Sequence, residues 1–466
     1  MACLGKVLGE LSVKIAVTDR GALPPDIADI EHKVFDAARK DLAQLLAGVL
    51  GALGRFTPYG APDGYRKVTT ATWFGHVTYN CAYYGPDPSR ESRQVRRRRE
   101  RKIAEGKVCR RNKNGTFPRK GGAPCAYPLQ QALKTCDGMT PTLSDAVQRV
   151  GVITGSFAEG SNVLRLLLGV NMPSATFRRK MLAAGQRAIS EQEFPLMRIL
   201  TPHLPAWLLA ATVPTTPTMY IMLDGTGVPC VRKDTESVKG KGESGQAGTR
   251  EVKVAVVGTY RRLGKHGRPV RDPGCESHIV SHKTASEFGT LLRRLANSRG
   301  YGSGQFRIQI VGDGAEWVAN IVRKAFPSKV VIFTNDFYHA CEYLHDFVSL
   351  AATATDTVNA DYCRAKSVLW RFGGASLVKH LKKRYESLAK EHPAWEKLLY
   401  IEKRVDHMKY HDYRRRGLYV GSGLVEAACR TDVARRCKQA GMHWRFMNAA
   451  AICALTARFR SRLPAA

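Results

Sequence analysis

The stretch TMYIMLDGTGVP, residues 218–229, sets an apolar run against a lone aspartate, Asp224, and follows it with Gly-Thr-Gly. An ionised carboxylate at the end of a buried strand is costly unless something compensates it. A second stretch repeats the arrangement: in IQIVGDGAEW, residues 308–317, Asp313 follows an apolar strand and precedes a glycine. If the two strands are neighbours in one sheet, their terminal carboxylates converge at its edge. Two like charges that close repel, and one takes a proton unless a cation lies between them. Mg²⁺, with Mn²⁺ as its substitute, is the natural cation for oxygen-only ligands. Gly225, Gly312 and Gly314 then keep the approach open for a phosphate. Each acid also has a structural reading. Asp313-Gly-Ala-Glu316 matches a capping box, and Asp224 with Gly225 matches the start of a turn. Two such strands on one strongly basic chain favour the metal site.

Outward from these strands, MYIMLD, REVKVAVVGTY, CESHIVSH, FRIQIVGDG and KVVIFTNDF are five strand candidates, and helical ASEFGTLLRRLANSRG and AEWVANIVRKAF separate the later ones. Three strands followed by alternating helix and strand predict an α/β fold, a mixed sheet flanked by helices. Residues 338–420 carry long helical periodicity, and two helices, about 422–439 and 445–462, close the chain. A third acid for a two-metal phosphoryl-transfer centre is offered by GSGLVEAACR, residues 421–430. Glu426 lies early on a helix that opens after Gly421-Ser422-Gly423, with an i,i+4 surface pair to Arg430 as its simpler reading. Arg435, Arg436 and Lys438 project from the same helix. Glu316, Asp336 and Glu342 are competing acids.

Upstream, residues 27–54 repeat apolar positions at helical spacing, and YRKVTTATWFGHVTYNCAYYG reads as a β-hairpin turning near Gly75. Residues 90–120 hold fourteen Lys/Arg and three acids, with Arg96, Arg97, Arg98 and Arg99 consecutive. Such a run is a solvated loop or a salt-sensitive contact to a phosphate backbone. His76, Cys81, Cys109, Cys125 and Cys136 are spaced too irregularly for a compact zinc module, and buried thiols are the competing reading. In SFAEGSNVLRLLLGVNMPSATFRRKML two helices flank a tight turn at Gly169–Asn171, the second capped by Ser174 and bearing Arg178, Arg179 and Lys180. That outline is a helix-turn-helix or a plain helical hairpin. The chain thus divides into an N-terminal helical region at 1–60, a hairpin and basic, Cys-containing region at 61–138, a helix-turn-helix-like region at 139–213, a strand-bearing core at 217–337, a helical insertion at 338–420 and C-terminal helices at 421–466. A Pro-rich linker falls at 213–217.

The 466 residues carry 73 Lys+Arg against 40 acids, a formal net charge of +33, which favours a polyanionic partner. Nucleic acid is the first candidate and an anionic membrane surface the second. No stretch approaches the roughly 20 apolar residues that span a bilayer, so a soluble cytoplasmic protein with no membrane partner is expected, associated with the nucleoid when on DNA. The 12 cysteines form no CxxC pair, which argues against a disulfide framework.

Taken in order, MLDGTGVP, VGDGAEW, NDFYHACEYLHD, GSGLVEAACR and GMHW resemble the DDE transposases of bacterial insertion sequences, within them the ISKra family, related to the Mutator-like group. The resemblance covers about 217–462. It implies an RNase H-like core in which Asp224, Asp313 and Glu426 are the catalytic, metal-binding triad. Asp336 and His339, spaced as in related transposases, would position DNA, with Arg430 near them. The implied reaction cleaves transposon ends and transfers the 3′-OH strand to target DNA, on double-stranded DNA and as a homo-oligomer. An RNase H-like nuclease or resolvase without strand transfer, a domesticated non-catalytic DNA-binding protein, and an RNA-binding protein using the basic run are the alternatives.

Overall fold

The computed structural model describes residues 27–59, 62–84, 127–193, 217–236, 238, 247–260, 262–264, 269–270, 274–304, 306–327, 331–352 and 355–461. Arg96, Arg97, Arg98 and Arg99, Cys109 and Cys125, and most of the Pro-rich linker lie outside these residues. The chain forms two compact units, one of residues 1–151 and 157–180, the other of 152–156 and 181–466.

In the first unit, helix α1 (Ile27–Leu53) packs on a hairpin of β1 (Gly64–Thr72) and β2 (Gly75–Tyr83). Leu50 meets Val77, Tyr79 and Cys81 in a small core. The hairpin turns where the Thr-rich alternation breaks: Thr72 pairs with Gly75, whose φ of 115° suits a tight reversal. Helices α2 (Pro128–Ala132), α3 (Pro141–Ile153), α4 (Phe157–Leu168) and α5 (Ser174–Glu193) follow, of which residues 152–153 and 181–193 count with the second unit. Gly169, at φ 58°, ends α4. Ser174 opens α5 as its first residue, and Phe157 packs edge-on against Phe177 across the two helices.

The second unit is built on five strands: β3 (Thr218–Pro229), β4 (Thr249–Tyr260), β7 (Glu276–Ser281), β8 (Arg307–Gly312) and β9 (Val331–Asn335). A two-residue ladder of β5 (Arg262–Leu263) and β6 (Pro269–Val270) stands apart. The sheet order is β7-β4-β3-β8-β9. β4 runs antiparallel to β3 and β7, while β8 and β9 run parallel to β3. In chain order this is third, second, first, fourth, fifth, with only the second reversed, compatible with an RNase H-like sheet. The central strand differs from expectation in length. β3 does not stop at Asp224, because β4 goes on pairing with it as far as Pro229; pairing with β8 stops at Met222–Val311.

Alternation along β3 feeds two cores. Met219, Ile221 and Leu223 join Ile308 and Ile310 against Phe288 and Leu292 of α7 (Ala285–Ser298) and Val318 and Ile321 of α8 (Glu316–Ala325). The opposite face takes Tyr220 and Gln309. It is covered by α9 (Phe337–Ala351), the first of five helices with α10 (Thr355–Phe372), α11 (Gly374–Arg384), α12 (Ala394–Glu402) and α13 (Tyr410–Arg415). The chain then returns to the sheet as residues 417–420. Gln309, fully buried, donates to Thr334 Oγ1 and to Tyr419 O, both at 2.7 Å, and accepts from Tyr419 N at 3.0 Å. Tyr220 Oη donates to Gly417 O at 3.2 Å. One side chain of β8 thus fixes the segment that leads into Glu426.

Two helical stretches close the chain, as expected, with differences in form. The first is α14 (Gly423–Ala428), a π-helical stretch (Cys429–Ala434) and α15 (Arg435–Cys437) in succession. The second, α16 (Phe446–Arg460), is buried from Ala449 through Ala457, so it is a core helix whose arginines gather near its end. Among the described residues no helix is long and apolar enough to cross a membrane.

Replacing Gln309 by Leu keeps the volume but removes its hydrogen bonds to the N–H and C=O of Tyr419 and to Thr334 Oγ1. We expect a loss on the order of 1–3 kcal/mol per orphaned group, read as a lower urea midpoint. An unchanged midpoint would show that segment 417–420 is held by other means.

Candidate active site

Register decides where the acids fall. β3 pairs with β8 through Met222–Val311, and β8 with β9 through Gly312–Asn335. Continued by one or two residues, this register sets Asp224, Asp313 and Asp336 side by side along one edge. All three follow the alternation of the face that carries Tyr220 and Gln309. They meet three different environments there.

Asp224 is half-buried. It accepts from Gly225 N at 2.7 Å and from the Cys429 thiol at 3.5 Å. Burial raises its pKa; the charge of Asp313 raises it further, and the two hydrogen bonds and His339 offset this only in part. Asp313 turns one oxygen onto Ala315 N at 2.9 Å, while its backbone carbonyl accepts from Tyr400 Oη. The capping box is not formed: α8 starts at Glu316, and Ala315 occupies its cap position without a side-chain bond. His339 has a raised pKa. Burial pulls it down, but a hydrogen bond to Glu342 at 3.0 Å and the charges of Asp336, Glu342 and Asp313 outweigh that.

Asp336 is completely enclosed. Its Oδ1 caps α9 by accepting from Tyr338 N at 2.6 Å and His339 N at 3.1 Å, and its Oδ2 accepts from Ser422 N at 2.5 Å and from the Ser422 hydroxyl. A carboxylate so surrounded cannot touch DNA, which corrects the positioning role inferred from its spacing to His339.

Glu426 sits exposed in the first turn of α14, its Oε1 2.9 Å from Ser422 Oγ, whose one proton serves either this carboxylate or the nearer Asp336 Oδ2 and not both. The alternative pair with Arg430 is not formed among the described residues; Arg430 is exposed on the same helix. Three residues beyond Glu426, Cys429 reaches Asp224, so the helix overlies the first acid. The structure therefore joins Asp224, Asp313 and His339 electrostatically, and brings the helical stretch that bears Glu426 to Asp224 through Cys429. Among the described residues no three His, Cys, Asp or Glu side chains are arranged to hold a metal ion.

The glycines have another explanation than an open approach. A Cβ on Gly225 would lie 2.3 Å from Glu251 Oε1, and one on Gly312 2.8 Å from a Val318 methyl, neither on the face of Asp224. Gly314, at φ 73°, has Asn335 and Arg404 against it, and Arg404 Nε donates to its carbonyl at 2.9 Å. All three are packing positions.

The expected DNA-facing cations divide. Arg178, Arg179 and Arg435 are exposed, and Lys180 donates to Asp137 O. Lys438 is half-buried and donates at 2.5 Å to Thr226 Oγ1, two residues beyond Asp224 on the same face. Arg436 corrects the reading: it is 2 % exposed, with its guanidinium 5.6 Å from the Trp444 ring, and cannot meet a phosphate. Cys81 is also buried, its thiol donating to Ala82 O.

Sequence reasoning missed Ser422, Cys429 and the anchor of the π-helical stretch. Asp432, fully buried there, meets His278 Nδ1 at 2.7 Å and Arg460 Nε at 3.7 Å. A helical i,i+4 pattern cannot foretell these contacts, because the π turn displaces the register after Cys429.

No family model and no curated protein matches the sequence. Among solved structures the chain is similar to a Drosophila P element transposase strand transfer complex, at 9% sequence identity over 71% of this chain and 82% of that chain, with a TM-score of 0.24. A match so loose assigns no role to any residue here.

A carboxylate whose pKa is raised by the fold destabilises it when ionised. Asp224→Asn should therefore melt above the wild type at pH 7, and the gap should narrow as the pH falls and wild-type Asp224 takes up its proton. An equal or lower Tm at pH 7 would show that Asp224 is not under electrostatic stress.

Proposed function

We propose that the chain is a DDE-type transposase of the bacterial insertion-sequence kind, which cleaves transposon DNA ends and transfers the 3′-OH strand to target DNA. The observation that carries this reading is the pair Asp224 and Asp313, at one edge and on one face of the sheet, with Asp224 pushed above the ordinary carboxylate range. A half-buried carboxylate beside a like charge is what a hard divalent cation relieves. The net charge of +33 supports double-stranded DNA as the substrate.

Asp224 and Asp313 fit Mg²⁺ or Mn²⁺ as oxygen donors. Glu426 would complete the set by moving toward them, since among the described residues no three such side chains are grouped to hold a metal ion. When bound, two such ions supply the Lewis acidity that activates water and offsets charge on the phosphodiester. The chain's own groups do the rest. The carboxylates hold the site, His339 at its rim positions the strand end, and Lys438 and Arg430 offset neighbouring phosphates. Joining two ends implies more than one copy on the DNA.

Asp224→Asn, Asp313→Asn and Glu426→Gln should each reduce divalent-dependent cleavage of end-bearing DNA to background while duplex binding persists in a mobility-shift assay. Full cleavage by any one of them removes that residue from the mechanism. Cleavage without joining of a labelled 3′-OH end would leave a nuclease in place of a transposase.

A further inference from the structure

β3 runs on past Asp224 with β4 as its partner, and the row of side chains on the face of Asp224 continues with it. Thr226, two residues on, holds the Lys438 ammonium at 2.5 Å. Val228, two further, pairs with Arg250 of β4, whose side chain therefore lies on that face as well. At the rise of an extended strand this point is about 13 Å from Asp224. There the sheet meets the start of α16: Trp444 N donates to Pro229 O at 3.0 Å, and Val231 N donates to Trp444 O at 2.9 Å. A cavity of about 500 Å³ opens at this junction, and its lining includes Lys233, Asp234, Arg250, Arg445, Phe446 and Met447.

The charge in this cavity is lopsided. Three cations line it with one acid, and Asp234 is already committed: its Oδ2 accepts from Phe446 N at 2.7 Å and lies 3.4 Å from Arg445 Nε. Arg250 pairs with no carboxylate among the described residues. Its guanidinium lies 4.5 Å from the centre of the Phe446 ring, and its Nη1 donates at 2.9 Å to the backbone O of Asp234, a neutral acceptor. Lys233 is exposed, with no hydrogen bond or ion pair among the described residues. A guanidinium held by a ring and one hydrogen bond keeps its remaining N–H groups preset for an oxyanion, the way arginine meets phosphate.

We infer that this cavity binds a phosphate of a polynucleotide backbone, on the track that Lys438 and Arg250 mark out from Asp224 along β3. The inference rests on the proposed DNA substrate and adds a contact outside the acid site. A free phosphate ion has the same chemistry, but a row of cations leading away from the acids suits a continuous strand, which spans them where a lone ion fills one place.

The test is binding of the full chain to a labelled duplex oligonucleotide by fluorescence anisotropy across a salt series, with thermal unfolding as the control for folding. Arg250→Gln and the double variant Lys233→Gln/Arg445→Gln should each weaken binding equally on unrelated sequences and reduce the slope of log K against log salt by about one, as loss of one phosphate contact does. The double variant alters only exposed side chains, so it decides the matter should Arg250→Gln unfold. Lys324→Gln/Lys383→Gln, which removes as much charge from exposed positions on α8 and α11, should keep the wild-type slope. An unchanged slope in the cavity variants, or an equal drop in the control pair, overturns the phosphate site and leaves the proposed function standing. Saturable binding of inorganic phosphate to the wild type, with full DNA affinity in the cavity variants, overturns it as well, since the cavity would then serve a small anion. A wild type that binds no duplex sinks the inference together with the reading beneath it.

Discussion

The register between β3, β8 and β9 is the constraint on which the site depends. It is fixed by the two cores, because a slip of one residue would send Ile221, Leu223 and Ile310 to the face of Tyr220 and Gln309, and Gln309 into the apolar core. That same alternation brings three aspartates to one edge. Their alignment follows from which side chains the sheet buries on each face.

Because the three acids share an edge and not an environment, their chemistry separates. Asp336 is saturated with donors, which makes it a structural post. Asp313 is turned onto the backbone of the loop after β8, and Tyr400 and Arg404 hold that loop from the helical region. Asp224 is pushed up by burial and by a like charge, against a backbone N–H, a thiol and the nearby His339. Electrostatic stress thus falls on an acid in the middle of the central strand.

The five strands, and the neighbouring strand positions of Asp224 and Asp313, were legible in the sequence as apolar runs that reach Asp-Gly. What the sequence could not show was burial decided by distant segments. Asp336 and His339 look like an exposed pair on a motif, yet residue 422 closes over the first and not the second. Arg435 and Arg436 are adjacent and chemically identical; the helix turns one to solvent and packs the other on Trp444. The glycines beside the acids suggested access, and their neighbours Glu251, Val318 and Asn335 lie too far away in sequence to have suggested packing. β3 outran its expected end because β4 pairs where β8 does not.

The helix that carries Glu426 is tied to the sheet at two places of different chemistry. Near its start, Ser422 rests on Asp336 at the β9 end of the sheet. Farther along, Asp432 is held by His278 of β7 at the opposite edge. A regular α-helix turns 100° per residue, so two anchors ten residues apart dictate its rotation about its own axis. The π stretch from Cys429 to Ala434 absorbs the mismatch between them, letting Cys429 face Asp224 while Asp432 reaches His278. His278 pays burial against this bond and keeps a raised pKa all the same, since Asp432 and Glu276 both favour its protonated form. The His278–Asp432 contact thus holds the far end of the helix, and the rotation of the helix that bears Glu426 is set by contacts at both edges of the sheet.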